Sequence, residues 1–464
     1  MVRTAILSVW SVVFTVLMFI FTGCGQFAGH GYSSSWERYP DSRWVGPDLW
    51  ANRLSDWEIK DKRLSCSGTL PMRTVHLTTG RIISDNGSLT AIVNIRRNGT
   101  VPVSPESAAG MLIGAGASLD YRAASLVFHS WGEGGGFFIG IDGEGKVFVR
   151  DNTRENEYPA YSAKGSGKWK EVILKIVIEE AEEGVSVISV IAVDPSTRNI
   201  ISEVKDVKVP HTRLSGNIAL VSHAGSIEKR KETFSFSRWS IRGSRLQRTR
   251  NHSIGPLVTA QYTVSRGIMK MTAQLMPVNR ELCDSVELQL IDEEKWQTVA
   301  VSAVDTPSYT ASFRLGNWRE SSDRQYRLYA RYRFGSEVTN IMSGTIRHDP
   351  VEKEQIKVLS LSCIEQVIKP DPEKWMGIDA GYFPFDSNIL YPNTRLTDAL
   401  KRHNADLLFF AGDQVYEGAS PTAAEYGPDA IYDYLYKWYL WCLTYRELTT
   451  NIPSIAIPDD HDVY

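Results

Sequence analysis

The sequence predicts a multidomain chain: a large all-β two-sheet sandwich, then a smaller β-sandwich, then part of an α/β sheet. At 464 residues it exceeds any usual single hydrophobic core. Across 44–247, and again across 248–349, short apolar or alternating runs recur between turn signals, the spacing of antiparallel sandwiches. From 355 to 464 the pattern changes to three apolar runs separated by two helix-period segments. That β-α-β-α-β order predicts a parallel sheet whose strand ends share one rim.

Residues 1–24 open with Arg3, continue as an apolar run from Ala5 to Phe21 and end Phe21-Thr-Gly-Cys24. A positive start, an apolar core and small residues before a processing point describe an export signal. Its Gly-Cys end resembles a bacterial lipoprotein signal, which implies lipidation of Cys24 and a lipid-anchored protein of the cell envelope, periplasmic or at the surface. An uncleaved membrane anchor is the other reading, and both export the chain. Residues 25–43, rich in Gly and Ser, are expected to form a tether.

In the large β unit, strands are expected at Leu89–Ile95, Ala124–Phe128, Phe137–Ile141, Lys146–Arg150, Glu171–Ile178, Val185–Val193, Asn217–Ser222 and Thr233–Arg242, with a hairpin signal at Asp142-Gly-Glu-Gly145. Gly216 to His223 followed by Phe234 to Ile241 resembles the closing strands of concanavalin-like jelly rolls, which often bind glycans. Trp131, Trp169 and Trp239 are either core or a sugar site. Asp142 and Asp151 either form turns or hold calcium. The second unit, with about seven expected strands from Leu257 to Arg347, suits an immunoglobulin- or fibronectin-like sandwich. A polar hinge, Asp349 to Glu354, leads into the third part.

There, Ile356 to Cys363, Leu407 to Ala411 and Ile452 to Ile457 read as strands. Residues 393–404 and 428–448 read as helices, the latter with Ile431, Leu435, Trp438, Tyr439 and Cys442 along one face. The strands end in Ser362-Cys363, in Gly412-Asp-Gln-Val-Tyr-Glu417 and in Pro458-Asp-Asp-His-Asp462. Together these motifs resemble the calcineurin-like metallophosphoesterases, and more narrowly the alkaline phosphatase D type. In that family a β module of this kind typically precedes the catalytic domain.

The chemistry of the residues agrees with that resemblance. Cations can neutralise a phosphate ester's charge and activate water, and Asp413 suits a carboxylate bridging two of them. Cys363 as thiolate and Tyr416 as phenolate favour a transition metal such as ferric iron. The resemblance implies iron with calcium, other divalent metals remaining open. Asp460 stands where the superfamily has an Asn ligand, and its extra charge suits calcium. His461 stands where the superfamily places a His near the leaving oxygen, a proton donor. The family's second half supplies further ligands, so the chain is expected to be C-terminally incomplete, to hold at most half a site and to show little turnover as it stands.

Two functions follow. One is an exported phosphatase or phosphodiesterase acting on a phosphate-ester substrate. The other is a non-catalytic envelope lipoprotein binding glycan or a partner through its large sandwich. A net charge of −3 gives no electrostatic reason to expect nucleic acid as a partner. Cys66, Cys283 and Cys442 fall in different units without paired spacing, so they are expected as small buried hydrophobes.

Overall fold

A computed structural model describes residues 31–463 apart from 84–85, 100–105, 128–131, 154–160, 163–168, 225–232, 320, 335, 365–366, 368–385 and 418–425. Cys24, the export signal and Trp131 lie outside the described residues.

Two eight-stranded antiparallel sheets face each other over residues 31–248. The first runs, in spatial order, Ile200–Pro210, Val185–Val193, Glu171–Glu182, Leu89–Asn98, Thr233–Arg242, Arg63–Cys66 and Trp57–Lys60, with Gly31–Ser33 added beside Thr233–Arg242. The second runs Tyr161–Ser162, Val147–Asp151, Phe137–Asp142, Ala108–Ala115, Gly216–His223, Arg73–Ile82 and Leu246–Arg248, with Leu49–Asn52 beside Arg73–Ile82. Alternation does the sorting. In Glu171–Glu182 the side chains of Val172, Leu174, Ile176 and Ile178 point inward and the intervening residues outward. They meet Ile139, Leu220, Phe236 and Trp239 in a core belonging to this unit alone.

Two expectations fail here. Residues 31–43 are not a tether: Gly31 pairs with Arg242, Trp36 is 1% exposed and Ser42 bridges to Ile59. Tyr32 and Trp36 supply enough apolar surface to hold this Gly/Ser-rich stretch against the sheet. The run expected as a strand at Ala124–Phe128 is a π-helical turn, Ala123–Val127. Its carbonyls bond outward, Ser125 O to Asn52 Nδ2 and Leu126 O to the Tyr436 hydroxyl. A short apolar run does not distinguish a strand from a buried helical turn.

The small sandwich packs a three-stranded sheet (Leu257–Ser265, Ile268–Leu275, Thr310–Gly316) on a four-stranded one (Lys295–Ala303, Ser285–Asp292, Arg324–Phe334, Ser336–Ile346). The third part is a three-stranded parallel sheet, Val358–Leu361, Leu407–Ala411 and Ser454–Ile457, with the second strand central. Helices α1 (Thr394–Arg402) and α2 (Ala430–Thr449) connect the strands. Leu361, Leu408 and Phe410 are buried with the α2 residues Trp441 and Tyr445, the Phe410 ring lying 4.8 Å from Trp441. On the other face Val358, Ile455 and Ile457 are exposed.

Helix α2 is not the one-sided amphipathic helix the spacing predicts. Ile431 is exposed, whereas from Asp433 to Thr449 nearly every position is buried. The reason is that α2 lodges between both sandwiches. The Tyr436 hydroxyl donates to Leu126 O (2.6 Å) of the large one. Trp438 Nε1 donates to Gln274 Oε1 (3.0 Å), and the Tyr439 hydroxyl to Leu275 O (2.8 Å), of the small one. A single core therefore runs from Trp44 and Leu126 through the small sandwich to Ile452. The hinge is tied as well, Lys353 pairing with Asp406 and Arg347 donating to Ala405 O.

Candidate functional site

The three parallel strands run out at one rim, as their order requires. At the first, the Ser362 hydroxyl donates to Ala411 O (3.2 Å) and the Cys363 N–H to Gly412 O (3.4 Å), fastening it to the second. Gly412 turns the second strand at φ +95°, and a Cβ there would sit 2.4 Å from Cβ of Asp459. Only glycine lets the third strand's end come this close. Cys363 (φ 56°) and Asp413 (φ 54°) both occupy the left-handed region, a strained placement for a residue with a Cβ and one that clusters at functional sites.

Asp413, Asp460 and His461 converge: each offers a ligand atom, and these atoms lie within 4.8 Å of one another. Asp413 is 8% exposed, and its Oδ1 is buried without a hydrogen-bond partner among the described residues. Its Oδ2 accepts the Tyr416 hydroxyl at 3.4 Å. Burial, then the charges of Asp413 and Cys363, hold that hydroxyl well above the usual phenol range. Cys363 is exposed; it approaches Tyr416 and stands outside the Asp413–Asp460–His461 group. His461 sits with Nδ1 3.0 Å from Glu417 Oε2 and its ring 4.8 Å from that of Tyr416. The Glu417 bond raises its pKa, favouring the imidazolium.

Residues that sequence reasoning missed hold this rim. The Asp462 carboxylate accepts the N–H groups of Gln414 (2.9 Å), Val415 (3.0 Å) and Asp459 (3.1 Å), joining the second rim loop to the third. The Asp459 side chain accepts the Asp462 N–H in return, a capping box whose spacing was readable in the sequence, and also that of Asp460 (2.9 Å). Behind Glu417, its carbonyl accepts Lys437 Nζ (2.5 Å), which also pairs with Asp433 (2.7 Å). Asp433 in turn meets Arg53 of the large sandwich at 2.9 Å. A chain of buried charges thus leads from the large sandwich to the residue that orients His461. The Asp433–Lys437 pair has the i,i+4 spacing of a helix, a signal that was available.

A cation suits this donor set. The carboxylates of Asp413 and Asp460 lie beside the His461 ring, and one of their oxygens, the buried Asp413 Oδ1, accepts no hydrogen bond among the described residues; carboxylate oxygens fit hard ions.

The alternatives raised for the large sandwich resolve differently. Asp142 Oδ1 accepts the N–H groups of Glu144 and Lys146, each at 2.9 Å, as a turn former does. Asp151 takes the Arg213 guanidinium on both oxygens (2.7 and 2.8 Å). Burial works against its ionisation, but the bonds from Arg213 and Thr153 outweigh burial and bring it down to about 2. Trp169 and Trp239 are core. Cys66, Cys283 and Cys442 are free, buried thiols. Among the described residues no helix is long and apolar enough to cross a membrane.

No protein-family model matches the chain, and no curated protein matches it. Among solved structures, a Lotus tetragonolobus seed lectin aligns at 11% identity over 45% of this chain and 98% of its own, with TM-score 0.30. Lectin II from Ulex europaeus aligns at 10% identity over 46% and 97%, with TM-score 0.32. The alginate lyase Aly36B aligns at 12% identity over 47% and 98%, with TM-score 0.33.

Proposed function

We propose that the rim belongs to the metal centre of an exported phosphoester hydrolase of the alkaline phosphatase D type, anchored to the envelope through Cys24. The observation that carries this reading is the convergence of Asp413, Asp460 and His461, with a buried Asp413 oxygen that has no donor among the described residues. When bound, ferric iron and calcium would neutralise the charge of the phosphate and lower the pKa of a water. Asp413 would hold both cations, Cys363 and Tyr416 the iron side, and Asp460 the calcium side. His461, bonded to Glu417 and favoured in its protonated form, would give a proton to the leaving oxygen.

The test is calorimetric titration of the full chain with ferric iron and calcium, with visible absorption followed alongside. A tyrosinate–iron band that Tyr416→Phe removes, and binding that Asp413→Asn abolishes, are expected. Absence of binding in the wild type, or equal binding by Asp413→Asn, would falsify the assignment.

A second reading is a glycan-binding envelope lipoprotein acting through the large sandwich. It is favoured by the two-sheet sandwich, whose Gly216–His223 and Thr233–Arg242 strands resemble the closing strands of sugar-binding jelly rolls, and by Arg150, a half-buried arginine on the outer face of the second sheet with no carboxylate within ion-pair distance among the described residues.

A further inference from the structure

The outer face of the second sheet carries, in register across four strands, Arg150, Phe138, Leu112 and Ala219. Phe138, Leu112 and Ala219, with Met72, Phe148 and Val221, form an apolar cluster separate from the sandwich core. At the end of that row the Arg150 guanidinium lies 4.9 Å over the Phe138 ring. Its one hydrogen-bond acceptor among the described residues is the Met72 thioether, at 3.7 Å. A guanidinium has five N–H donors, and a thioether is a weak acceptor.

Neighbouring arginines of the same sandwich are matched. Arg213 takes both oxygens of Asp151, Arg63 meets Glu171, and Arg245 donates to Ser186 and to the His211 carbonyl. Arg150 has no carboxylate within ion-pair distance among the described residues, and its surroundings bring its pKa down to about 10 through loss of solvent.

Beside it, His223 Nδ1 accepts the Met72 N–H at 3.3 Å. That bond requires an unprotonated Nδ1, which puts the ring proton on Nε2 and makes Nε2–H a donor. Burial, and then the positive charge of Arg150, keep the ring neutral by pushing its pKa down to about 3. The cluster therefore presents donors over an apolar floor, with Arg150 as its positive charge; the Glu106 carboxylate also acts on the His223 ring, more weakly than Arg150 does.

We infer that Arg150 and His223 form an anion subsite for the carboxylate of an acidic sugar, a hexuronate. The planar guanidinium fork matches a carboxylate with two parallel bonds, and one positive charge balances one negative charge. A phosphate monoester would bring nearly two charges to this one cation and leave the excess poorly solvated. The inference rests on the glycan-binding reading of the sandwich and adds the class of sugar.

The experiment is calorimetric titration of the full chain with a hexuronate trimer, the neutral hexose trimer of the same linkage, and a glutamate-rich peptide. The hexuronate is expected to bind at least tenfold more tightly than either of the others. Arg150→Met keeps the stem over Phe138 and should lose at least tenfold of that affinity, with a thermal midpoint unchanged or raised. Arg150→Lys, which keeps the charge and loses the fork, should fall between them. Equal hexuronate binding by wild type and Arg150→Met overturns the subsite, as does a peptide bound as tightly as the sugar. Equal binding of neutral and acidic trimers overturns the subsite while leaving the glycan reading standing. No binding of any sugar defeats both.

Discussion

In the large sandwich, Ile176 and Trp239 reach zero exposure against residues of their own unit. In the parallel sheet, Leu408 and Phe410 are buried on one face by α2, while Ile455 and Ile457 on the other are 42% and 45% exposed. The core between the two sheets of the sandwich is complete in itself, although Trp44 and Leu126 join the shared core. The parallel sheet borrows its core, since α2 is held by Asn52, Arg53 and Leu126 from the large sandwich and by Gln274 and Leu275 from the small one. A parallel sheet ordinarily has both faces covered. The rim residues consequently depend on a scaffold mostly built from distant sequence.

This contrast predicts where stability is separable. Asp433→Ala removes the carboxylate shared by Arg53 and Lys437, and breaking such a buried pair costs about 3–5 kcal/mol. Amides of α2 and the parallel strands should lose hydrogen-exchange protection while those of Glu171–Glu182 keep it; uniform loss would show one cooperative unit. A smaller effect is expected of Gly412→Ala, whose Cβ meets Asp459 at 2.4 Å and whose φ is +95°. It should cost roughly 2 kcal/mol in urea unfolding and disorder the rim without touching the sandwich.

His223 sharpens the comparison from the sandwich side. Its pKa is lowered on folding, so below the unfolded value near 6.5 the unfolded chain takes up a proton that the folded chain refuses. Stability should fall by at most about 1.4 kcal/mol per pH unit as pH drops from there toward about 3, and level off below. Urea midpoints at pH 7, 5 and 4 should show this slope in the difference between wild type and His223→Gln. The smallest effect belongs to the open face of the parallel sheet. Ile457→Lys should change stability by no more than about 0.5 kcal/mol, and a loss well beyond that would mean the face is packed.

Legibility followed the same division. Thr233–Arg242 could be read because one face is core and the other is not, so Phe234, Phe236, Trp239 and Ile241 fall among polar residues, and Val185–Val193 because β-branched residues fill most of it. Ala108–Ala115 could not: all eight residues are buried, which erases alternation, and Ala and Gly are poor strand formers. Arg73–Ile82 was hidden by buried polar residues such as Thr74 and His76. At the rim, the gathering of Asp413, Tyr416, Asp460 and His461 was legible because parallel strands end along one edge. Asp462, Glu417, Asp433 and Lys437 act through contacts that only the fold creates. Spacing hinted at the Asp433–Lys437 pair and the Asp462 cap, but residue type alone does not separate such groups from solvated surface charge.

The lodging of α2 also orders events in time. The hydrogen bond between Tyr436 and Asn52 closes a separation of 384 residues. Contacts that distant in sequence form slowly, and chains emerge from the ribosome N-terminal end first. The large sandwich can complete its own core while α2 is still unsynthesised, and it then serves as the template on which the helix and the rim assemble last.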